Sequence, residues 1–326
     1  MSRHYPALER MVIRQLLAIR VRRRSMRWPL ALFILVVGAA AVGGYVVLGR
    51  SSSFHVASVQ SAAGAISPAS RNLVYCGNNL LDLYPPRQRA FEKSPVVMYL
   101  HGGGWEKNNK QSEPSQLAMI DGLRDKGFAI VSINYRLLPD APFPAALEDT
   151  LCAIRFLKAK ASNYKLDKQK FALYGFSAGG HLASLIAALP ANSQFNTGEY
   201  TEESSSVQAV VTLAGIFNLH DYIQPSTAMR AQALLAGQDA AVAEPATYLT
   251  PAAPPFLLIH GLQDQHVYMT QDDYFATKLG ENGIYHEELR VANAGHGLEP
   301  LTGPIHPSEA VVNQRIADFI TSQLLQ

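Results

Sequence analysis

The sequence predicts an α/β fold in which a mostly parallel sheet carries helices on both faces. Three observations support this fold class: compact apolar runs suited to strands buried on both faces, longer amphipathic stretches, and their alternation from about Arg71 onwards. Alternation over this length is typical of a parallel sheet covered by helices. With 326 residues, 48% of them hydrophobic, the chain can form one large core.

The individual elements follow from these runs. Strands are predicted at 80–84, 96–100, 129–133, 171–174, 207–213 and 256–259, with a weaker candidate at 287–291. Helices are predicted near 115–126, 145–160, 178–189, 268–282 and 308–325. Residues 217–254 interrupt the alternation at the end of a strand. We predict that this insertion forms a lid, and a plain long connection is the alternative.

The N-terminal part of the chain differs from the rest in charge and hydropathy. Residues 1–27 carry eight Arg and one Glu, a charge of +7, so the other 299 residues sum to −5. An acidic body argues against a nucleic-acid partner. Residues 28–48 hold no charge and as a helix would measure about 31 Å, enough to cross the hydrocarbon core. This pattern predicts a transmembrane segment and therefore a membrane partner.

We therefore predict a basic cytoplasmic N-terminus at 1–27, a transmembrane signal-anchor at 28–48 and a linker rich in Ser, Ala and Gly at 49–70. The main domain, at 71–326, would lie on the non-cytoplasmic side, periplasmic or extracellular. A cleaved signal peptide, cut near 56–58, is one alternative, although the apolar part of a leader usually has only about 7–15 residues. A buried core helix is another, disfavoured by the Arg-rich flank.

The two cysteines, Cys76 and Cys152, both belong to the main domain. On the exported side of a membrane a disulfide can persist. The sequence does not reveal whether the two side chains meet, and two separately buried thiols are the favoured interpretation. No Cys/His spacing resembles a zinc site, so no metal is expected.

The strongest motif is Gly175-Phe176-Ser177-Ala178-Gly179, which follows the predicted strand 171–174 and opens the predicted helix 178–189. A G-x-S-x-G sequence between a strand and a helix is typical of a nucleophile elbow. Glycines two positions before and after the serine remove Cβ atoms that would collide in so sharp a turn. Ser177 is therefore the predicted nucleophile, and a simple glycine-rich turn is the alternative.

A second glycine-rich motif, His101-Gly102-Gly103-Gly104-Trp105, directly follows the predicted strand 96–100. Consecutive glycines at a strand end allow their N–H groups to point at one spot, as an oxyanion hole requires. The predicted donors are the amides of Gly103, Gly104 and Ala178. A glycine run alone is merely a flexible turn, but its position one strand–helix–strand unit before Ser177 makes it specific.

A serine nucleophile needs a histidine base to take its proton and an acidic residue to orient that histidine. After a nucleophile elbow of this kind, the acidic residue comes next in the chain and the histidine follows it. Asp264 follows the predicted strand 256–259, and His296 lies in a glycine-flanked loop after the last strand. They are the predicted acid and base. The rival candidates are Asp239, Asp272, Asp273 and His306. The histidines next to the motifs are expected to form hydrogen bonds that shape the loops: His101, His181, His260 and His266.

In these motifs, and in the segments 134–139 (N-Y-R-L-L-P) and 143–146 (F-P-A-A), the sequence resembles the hormone-sensitive-lipase-like and feruloyl-esterase-like branches of the α/β-hydrolases over roughly residues 71–326. The resemblance implies the α/β-hydrolase fold and cofactor-free hydrolysis of short-chain or aryl carboxylic esters. It also implies a triad of Ser177, Asp264 and His296 and an oxyanion hole of Gly103, Gly104 and Ala178.

Two departures from the family pattern leave the substrate open: Asp140 replaces a common Glu, and Asn108-Asn109 replace a common Gly-Asp pair at the pocket rim. The expected partner is a small-molecule ester. Amide, formamide or peptide hydrolysis on the same residues is the alternative activity. A non-catalytic binding protein of the same fold is disfavoured because such proteins usually lack a triad member. Oligomeric state is not predicted.

Overall fold

A computed structural model describes residues 70–220 and 224–326, and within them one eight-stranded sheet forms the centre of the molecule. Its order is β1-β2-β4-β3-β5-β6-β7-β8. The strands are β1 Ser70–Tyr75, β2 Asn79–Tyr84, β3 Ser94–Leu100, β4 Ala129–Ile133, β5 Leu166–Phe176, β6 Ala209–Leu213, β7 Phe256–Gly261 and β8 His286–Val291. Strands β3 to β8 run parallel, and β2 pairs antiparallel with both β1 and β4.

The helices follow the strands in the alternation that the sequence predicts. They are α1 Pro114–Asp121, α2 Ala145–Ala159, α3 Ala161–Tyr164, α4 Ala178–Ala188, α5 Pro225–Leu235, α6 Thr270–Glu281 and α7 Glu309–Leu324. Short 3-10 turns are present at Gly122–Lys126, Ala240–Val242 and Pro245–Tyr248.

The sheet separates two hydrophobic clusters, one on each face. Along β3, Val96, Met98 and Leu100 belong to one cluster, and Val97 and Tyr99 belong to the other. Side chains alternate across a strand, so every residue of a central strand is buried. Helices α2, α4 and α6 contribute to the first cluster, and α1 and α7 to the second. The predicted parallel sheet with helices on both faces is confirmed.

The two edges of the sheet explain where the sequence signal is weak. β1 begins at Ser70, one residue inside the predicted linker, and most of its side chains are exposed or half-buried. β8, the weaker predicted strand, has only Val291 fully buried. An edge strand lacks the continuous apolar run that marks a central strand. The edge strands are therefore the elements that a search for buried runs detects least well.

The prediction of two separately buried cysteines is wrong, because Cys76 and Cys152 form a disulfide. Cys76 follows β1 and Cys152 lies in α2, and their Cα atoms are 6.2 Å apart, within the usual range for a disulfide. Seventy-six residues separate the two in sequence, so only the packing of α2 beside the end of β1 brings them together.

The predicted cytoplasmic segment 1–27, signal-anchor 28–48 and the linker up to residue 69 lie outside the described residues. Within residues 70–220 and 224–326, none of the helices has the length and apolar character needed to span a bilayer.

The insertion 217–254, described apart from residues 221–223, contains α5 and two of the 3-10 turns. It is tied to the segment before α2 by two hydrogen bonds. The amide of Phe143 donates to the carbonyl of Leu234 at 2.8 Å, and the Gln238 side chain donates to the carbonyl of Phe143 at 3.1 Å. These contacts hold α5 at the carboxyl edge of the sheet, close to the site described next.

Candidate active site

Ser177 occupies the turn between β5 and α4 in a backbone conformation that side-chain-bearing residues rarely adopt, with φ 53° and ψ −116°. The glycines around it have a steric reason. A Cβ on Gly175 would collide with the carbonyl oxygen of Gly179, and a Cβ on Gly179 would collide with that of Leu100 on β3. The turn therefore has the strained geometry of a nucleophile elbow.

Backbone hydrogen bonds fix this turn at the carboxyl edge of the sheet. The amide of Ser177 donates to the carbonyl of Leu213 on β6 at 2.9 Å, and the carbonyl of Ser177 accepts from the amide of His181 at 3.1 Å. Ser177 is thereby the N-terminal cap of α4, where the helix dipole favours negative charge. Its side chain lines a cavity of about 380 Å³, together with Gly103, Gly104 and His296.

Asp264 and His296 meet at the same edge because β7 and β8 are parallel neighbours. Nδ1 of His296 lies 2.7 Å from Oδ2 of Asp264. The other oxygen, Oδ1, accepts from the amides of His266 at 2.7 Å and Val267 at 3.0 Å. Burial alone would raise the pKa of Asp264, but hydrogen bonds from His260 and His296 outweigh it and hold that pKa well below its usual range. Asp264 is therefore a carboxylate at neutral pH.

The His296 loop is held from two further sides. The carboxylate of Glu299 accepts from the amide of His296 at 3.1 Å and from that of Gly297 at 2.8 Å. The rings of Phe176 and His266 lie 4.9 and 5.4 Å from the imidazole, measured between centroids. These contacts limit how far the imidazole can turn.

The structure brings Ser177 and His296 to one cavity wall without a direct bond between them. Among the described residues, the hydroxyl of Ser177 forms no side-chain hydrogen bond. In unliganded enzymes such contacts are often long and tighten only when substrate binds.

The rival acids and the rival base have other partners. Asp272 bonds to His260 at 2.8 Å, Asp273 pairs with Arg290 at 2.8 Å, and Asp239 caps a 3-10 turn. The backbone of His306 pairs with that of Ala292. None of the three aspartates bonds to His296 in the described part of the chain. Asp264 is the candidate that the fold joins to a histidine on the wall of the Ser177 cavity.

Gly103 and Gly104 of the glycine loop after β3 line the same cavity. Gly103 and Gly104 have positive φ values of 109° and 62°, and a Cβ on Gly103 would collide with the carbonyl oxygen of Lys107. Within the described residues, the amides of Gly103 and Gly104 have no protein acceptor, whereas that of Gly102 donates to Glu113 at 2.9 Å. Ala178 begins α4, and the first amides of a helix have no partner within the helix.

Glu113 and Glu299, which the sequence analysis does not single out, support these loops. Glu113 accepts from the hydroxyl of Tyr99, from the amide of Gly102 and from the side-chain amide of Asn108 at 2.9 Å. No local signal marks Glu113, eleven residues away from Gly102. Glu299 follows His296 by three residues, a spacing from which a carboxylate can reach back to loop amides. This spacing is a local sequence signal from which the role of Glu299 can be predicted.

The expected hydrogen-bonding role of the neighbouring histidines is confirmed for His101 and His181. The Nδ1 of His101 lies 2.7 Å from the carbonyl of Gly102. His181 accepts from the indole N–H of Trp105 at 3.1 Å and faces the carbonyl of Ala243 at 2.7 Å through Nε2. Burial lowers the pKa of both imidazoles to about 4, so they are neutral near pH 7.

The insertion forms another wall of the cavity. Ser226, Thr227 and Arg230 of α5 line it, and Arg230 lies directly over Gly104. Arg230 pairs with Glu106 at 3.1 Å, which joins the insertion to the glycine loop. In the described part of the chain, no cluster of three or more His, Cys, Asp or Glu side chains could hold a metal ion.

Esterases are among the known proteins that this chain resembles. Esterase LipC of Mycobacterium tuberculosis is 30% identical over 241 residues, 69% of this chain and 58% of LipC. The chain spans 56 to 59% of the length of the first curated relatives it matches.

Two solved structures are similar in fold. A truncated form of a carbohydrate esterase from gut microbiota is 23% identical with a TM-score of 0.69, covering 80% of this chain and 98% of that one. A bifunctional GH43-CE protein of Bacteroides eggerthii is 30% identical with a TM-score of 0.67, covering 78% of this chain and 35% of that one. The BD-FAE family model matches residues 81–279. By this match, its fold and its motifs, the chain belongs to the BD-FAE family of α/β-hydrolases.

Proposed function

We propose that this protein is a serine esterase that hydrolyses short-chain or aryl carboxylic esters through an acyl-enzyme on Ser177. One observation carries the proposal: His296, which is hydrogen-bonded to Asp264 at 2.7 Å, lines the same cavity as the strained Ser177. The names of its relatives, an esterase and a carbohydrate esterase among them, support ester cleavage.

The protonation of His296 follows from its partner. An ionised carboxylate only accepts hydrogen bonds, so the proton of a neutral His296 is on Nδ1, facing Asp264. Nε2 is then an unprotonated base. As the hydroxyl oxygen of Ser177 attacks the ester carbonyl carbon, Nε2 takes the hydroxyl proton, and Asp264 stabilises the imidazolium that forms.

The glycine loop acts on the opposite side of the reacting carbonyl. The free amides of Gly103 and Gly104, with that of Ala178, donate to the oxygen that becomes negative in the tetrahedral intermediate. When the intermediate collapses, His296 gives its proton to the departing alcohol oxygen. Water then attacks the acyl-enzyme, His296 takes a proton from it, and the carboxylic acid leaves while Ser177 recovers its proton.

Replacing Ser177 tests the proposal. Ser177→Ala should abolish hydrolysis of p-nitrophenyl acetate and labelling by a fluorophosphonate probe. Ser184→Ala is the matched control, because Ser184 is buried in the helix that Ser177 caps and its hydroxyl has no hydrogen-bond partner among the described residues. Turnover that persists in Ser177→Ala would refute the nucleophile. Comparing the turnover of an ester and an amide of matched structure distinguishes an esterase from an amidase. A wild-type protein that neither turns over esters nor reacts with the probe would instead indicate a non-catalytic binding protein.

The location of the domain is a second part of the proposal. Residues 28–48 would anchor it on the non-cytoplasmic side, with the +7 segment 1–27 in the cytoplasm. The disulfide supports an oxidising compartment. Cell fractionation tests this: the full chain should stay in carbonate-washed membranes, and a chain of residues 60–326 should not. A mature protein shortened to begin near residue 58 would instead indicate a cleaved leader.

A further inference from the structure

His260 lies at the end of β7, next to Asp264, and both of its ring nitrogens lie close to carboxyl or carbonyl oxygens of the described residues. Its side chain is fully buried. Nδ1 lies 2.8 Å from Oδ1 of Asp272 on α6. Nε2 lies 3.0 Å from the carbonyl oxygen of Val267 and 3.2 Å from Oδ2 of Asp264, the same oxygen that accepts from His296.

Acceptors on both sides determine the protonation of this ring. A neutral imidazole has one donor nitrogen and one acceptor nitrogen, so it would turn a lone pair towards a buried acceptor. A proton held between His260 and Asp272 removes this conflict. Burial alone would lower the pKa of His260, but hydrogen bonds to Asp264 and Asp272 outweigh it and raise that pKa to about 10. The contacts of His260 thus favour an imidazolium paired with an ionised Asp272 at neutral pH.

The more distant charges pair with one another at the surface, where one arginine contacts two carboxylates. The other charged or titratable groups around His260 are Arg290 and Glu288 of β8, Asp273 of α6, and His266 and His296 of the adjoining loops. Arg290 pairs with both Asp273 and Glu288 at 2.8 Å. The buried carboxylates of Asp264 and Asp272 are therefore the charges that act most directly on His260.

We propose that His260, held in its cationic form by Asp272, is a positioning residue that orients the Asp264 carboxylate and moderates its negative charge. This role rests on the proposed function. Nε2 of His260 donates to the carbonyl of Val267 at 3.0 Å and forms an ion pair with Oδ2 of Asp264 at 3.2 Å, while the amides of His266 and Val267 donate to Oδ1. A cation next to Oδ2 weakens the attraction of that oxygen for a protonated His296. We therefore expect the acid limb of the kcat/KM profile to lie at lower pH than it would without this cation.

The pH profile of kcat/KM tests the moderating effect. In His260→Gln the positive charge is lost whether Asp272 stays ionised or takes up a proton. The acid limb should therefore move up by about 0.5 to 1 pH unit. The double variant His260→Gln/Asp272→Asn leaves no unpartnered carboxylate and should show the same direction of shift. His286→Gln on the edge strand β8 is the matched control and should leave the limb in place.

The outcomes are separable. An acid limb that stays in place in both His260 variants, with kcat/KM merely lower, would mean a structural role and would overturn the proposal. The rate of fluorophosphonate labelling, measured as a function of pH, should show the same acid limb and requires no ester substrate. A wild-type chain that neither turns over esters nor reacts with the probe would overturn the proposed function itself.

A spectroscopic test does not depend on activity. The Ser177→Ala protein is labelled with 15N in its imidazole rings and studied by NMR. Both ring nitrogens of His260 should carry hydrogen at pH 8. The His260 signals are assigned as those that are missing from a labelled sample that also carries His260→Gln. Asp272→Asn should remove one of these protons. A neutral His260 at pH 8 in the protein with Asp272 intact would overturn the proposal.

Discussion

Oδ2 of Asp264 faces two histidines at once: it is hydrogen-bonded to Nδ1 of His296 at 2.7 Å and lies 3.2 Å from Nε2 of His260, an ion-pair distance. His296 faces the cavity and His260 faces the core. A carboxylate held in this way can neither turn nor take up a proton easily. The parallel order of β7 and β8 creates the arrangement, since the loops after both strands emerge at one edge of the sheet.

Replacing Asp264 by Asn should reduce kcat severely. An amide can donate to Nδ1 of His296 and so favour the wrong tautomer, which removes the base from Nε2. We expect a loss of about 100- to 10,000-fold in kcat for p-nitrophenyl acetate. Asp273→Asn, at an exposed pair with Arg290, is the control and should keep its activity. Near-normal turnover in Asp264→Asn would exclude Asp264 as the acid.

Gly103 and Gly104, the proposed oxyanion-hole donors, should differ in their tolerance of alanine. A Cβ on Gly103 collides with the backbone carbonyl of Lys107, which cannot move aside, whereas a Cβ on Gly104 lies 2.6 Å from Cδ of the flexible Arg230 side chain. Gly103→Ala should therefore lose more of its kcat/KM than Gly104→Ala.

Removing the Arg230 side chain should recover part of the activity of Gly104→Ala but none of that of Gly103→Ala. The positive φ of Gly104 still costs an alanine about 1 kcal/mol, so recovery is incomplete. Each glycine variant is measured with and without Arg230→Ala. Together with the Arg230→Ala single variant, these proteins form two double-mutant cycles on kcat/KM. Equal rescue in both backgrounds would contradict the steric explanation.

Mild acid should destabilise the fold through His181. Its pKa is lowered by burial to about 4, against about 6.5 in an unfolded chain, so between these values the unfolded state binds more protons. The free energy of unfolding should therefore fall as the pH falls from 6.5 towards 4. Urea unfolding at pH 7 and pH 5 measures this loss, which should be smaller in His181→Gln than in the wild type. The half-exposed His286→Gln is the control.

Removing the disulfide should weaken the fold but not the chemistry. Cys76 and Cys152 enclose a long segment of the chain, and losing such a cross-link typically costs about 2 to 5 kcal/mol of unfolding free energy. The pair lines a different cavity from that of Ser177. The Cys76→Ser/Cys152→Ser double variant should unfold at lower urea concentration while keeping its kcat/KM at 25 °C. A large loss of kcat/KM in the folded double variant would contradict this separation.

Local sequence was sufficient wherever the physical cause is local. The strand 129–133 was predicted with its observed bounds, because a central parallel strand must be apolar on both faces. The turn at Ser177 was predicted for a similar reason: its neighbours Gly175 and Gly179 are glycines because any side chain there would strike the backbone. Such constraints leave their mark within a few residues of the chain.

Features that join distant segments left no such mark. The partnership of Cys76 with Cys152, the support of the Gly102 amide by Glu113, and the contact of His260 with Asp272 each need two elements packed side by side. A buried polar side chain must find a partner, but the sequence does not say which one, because the distance between two elements depends on how the whole sheet packs. Residue types and motif order thus predict the chemistry, whereas packing decides which distant side chains meet around the predicted residues.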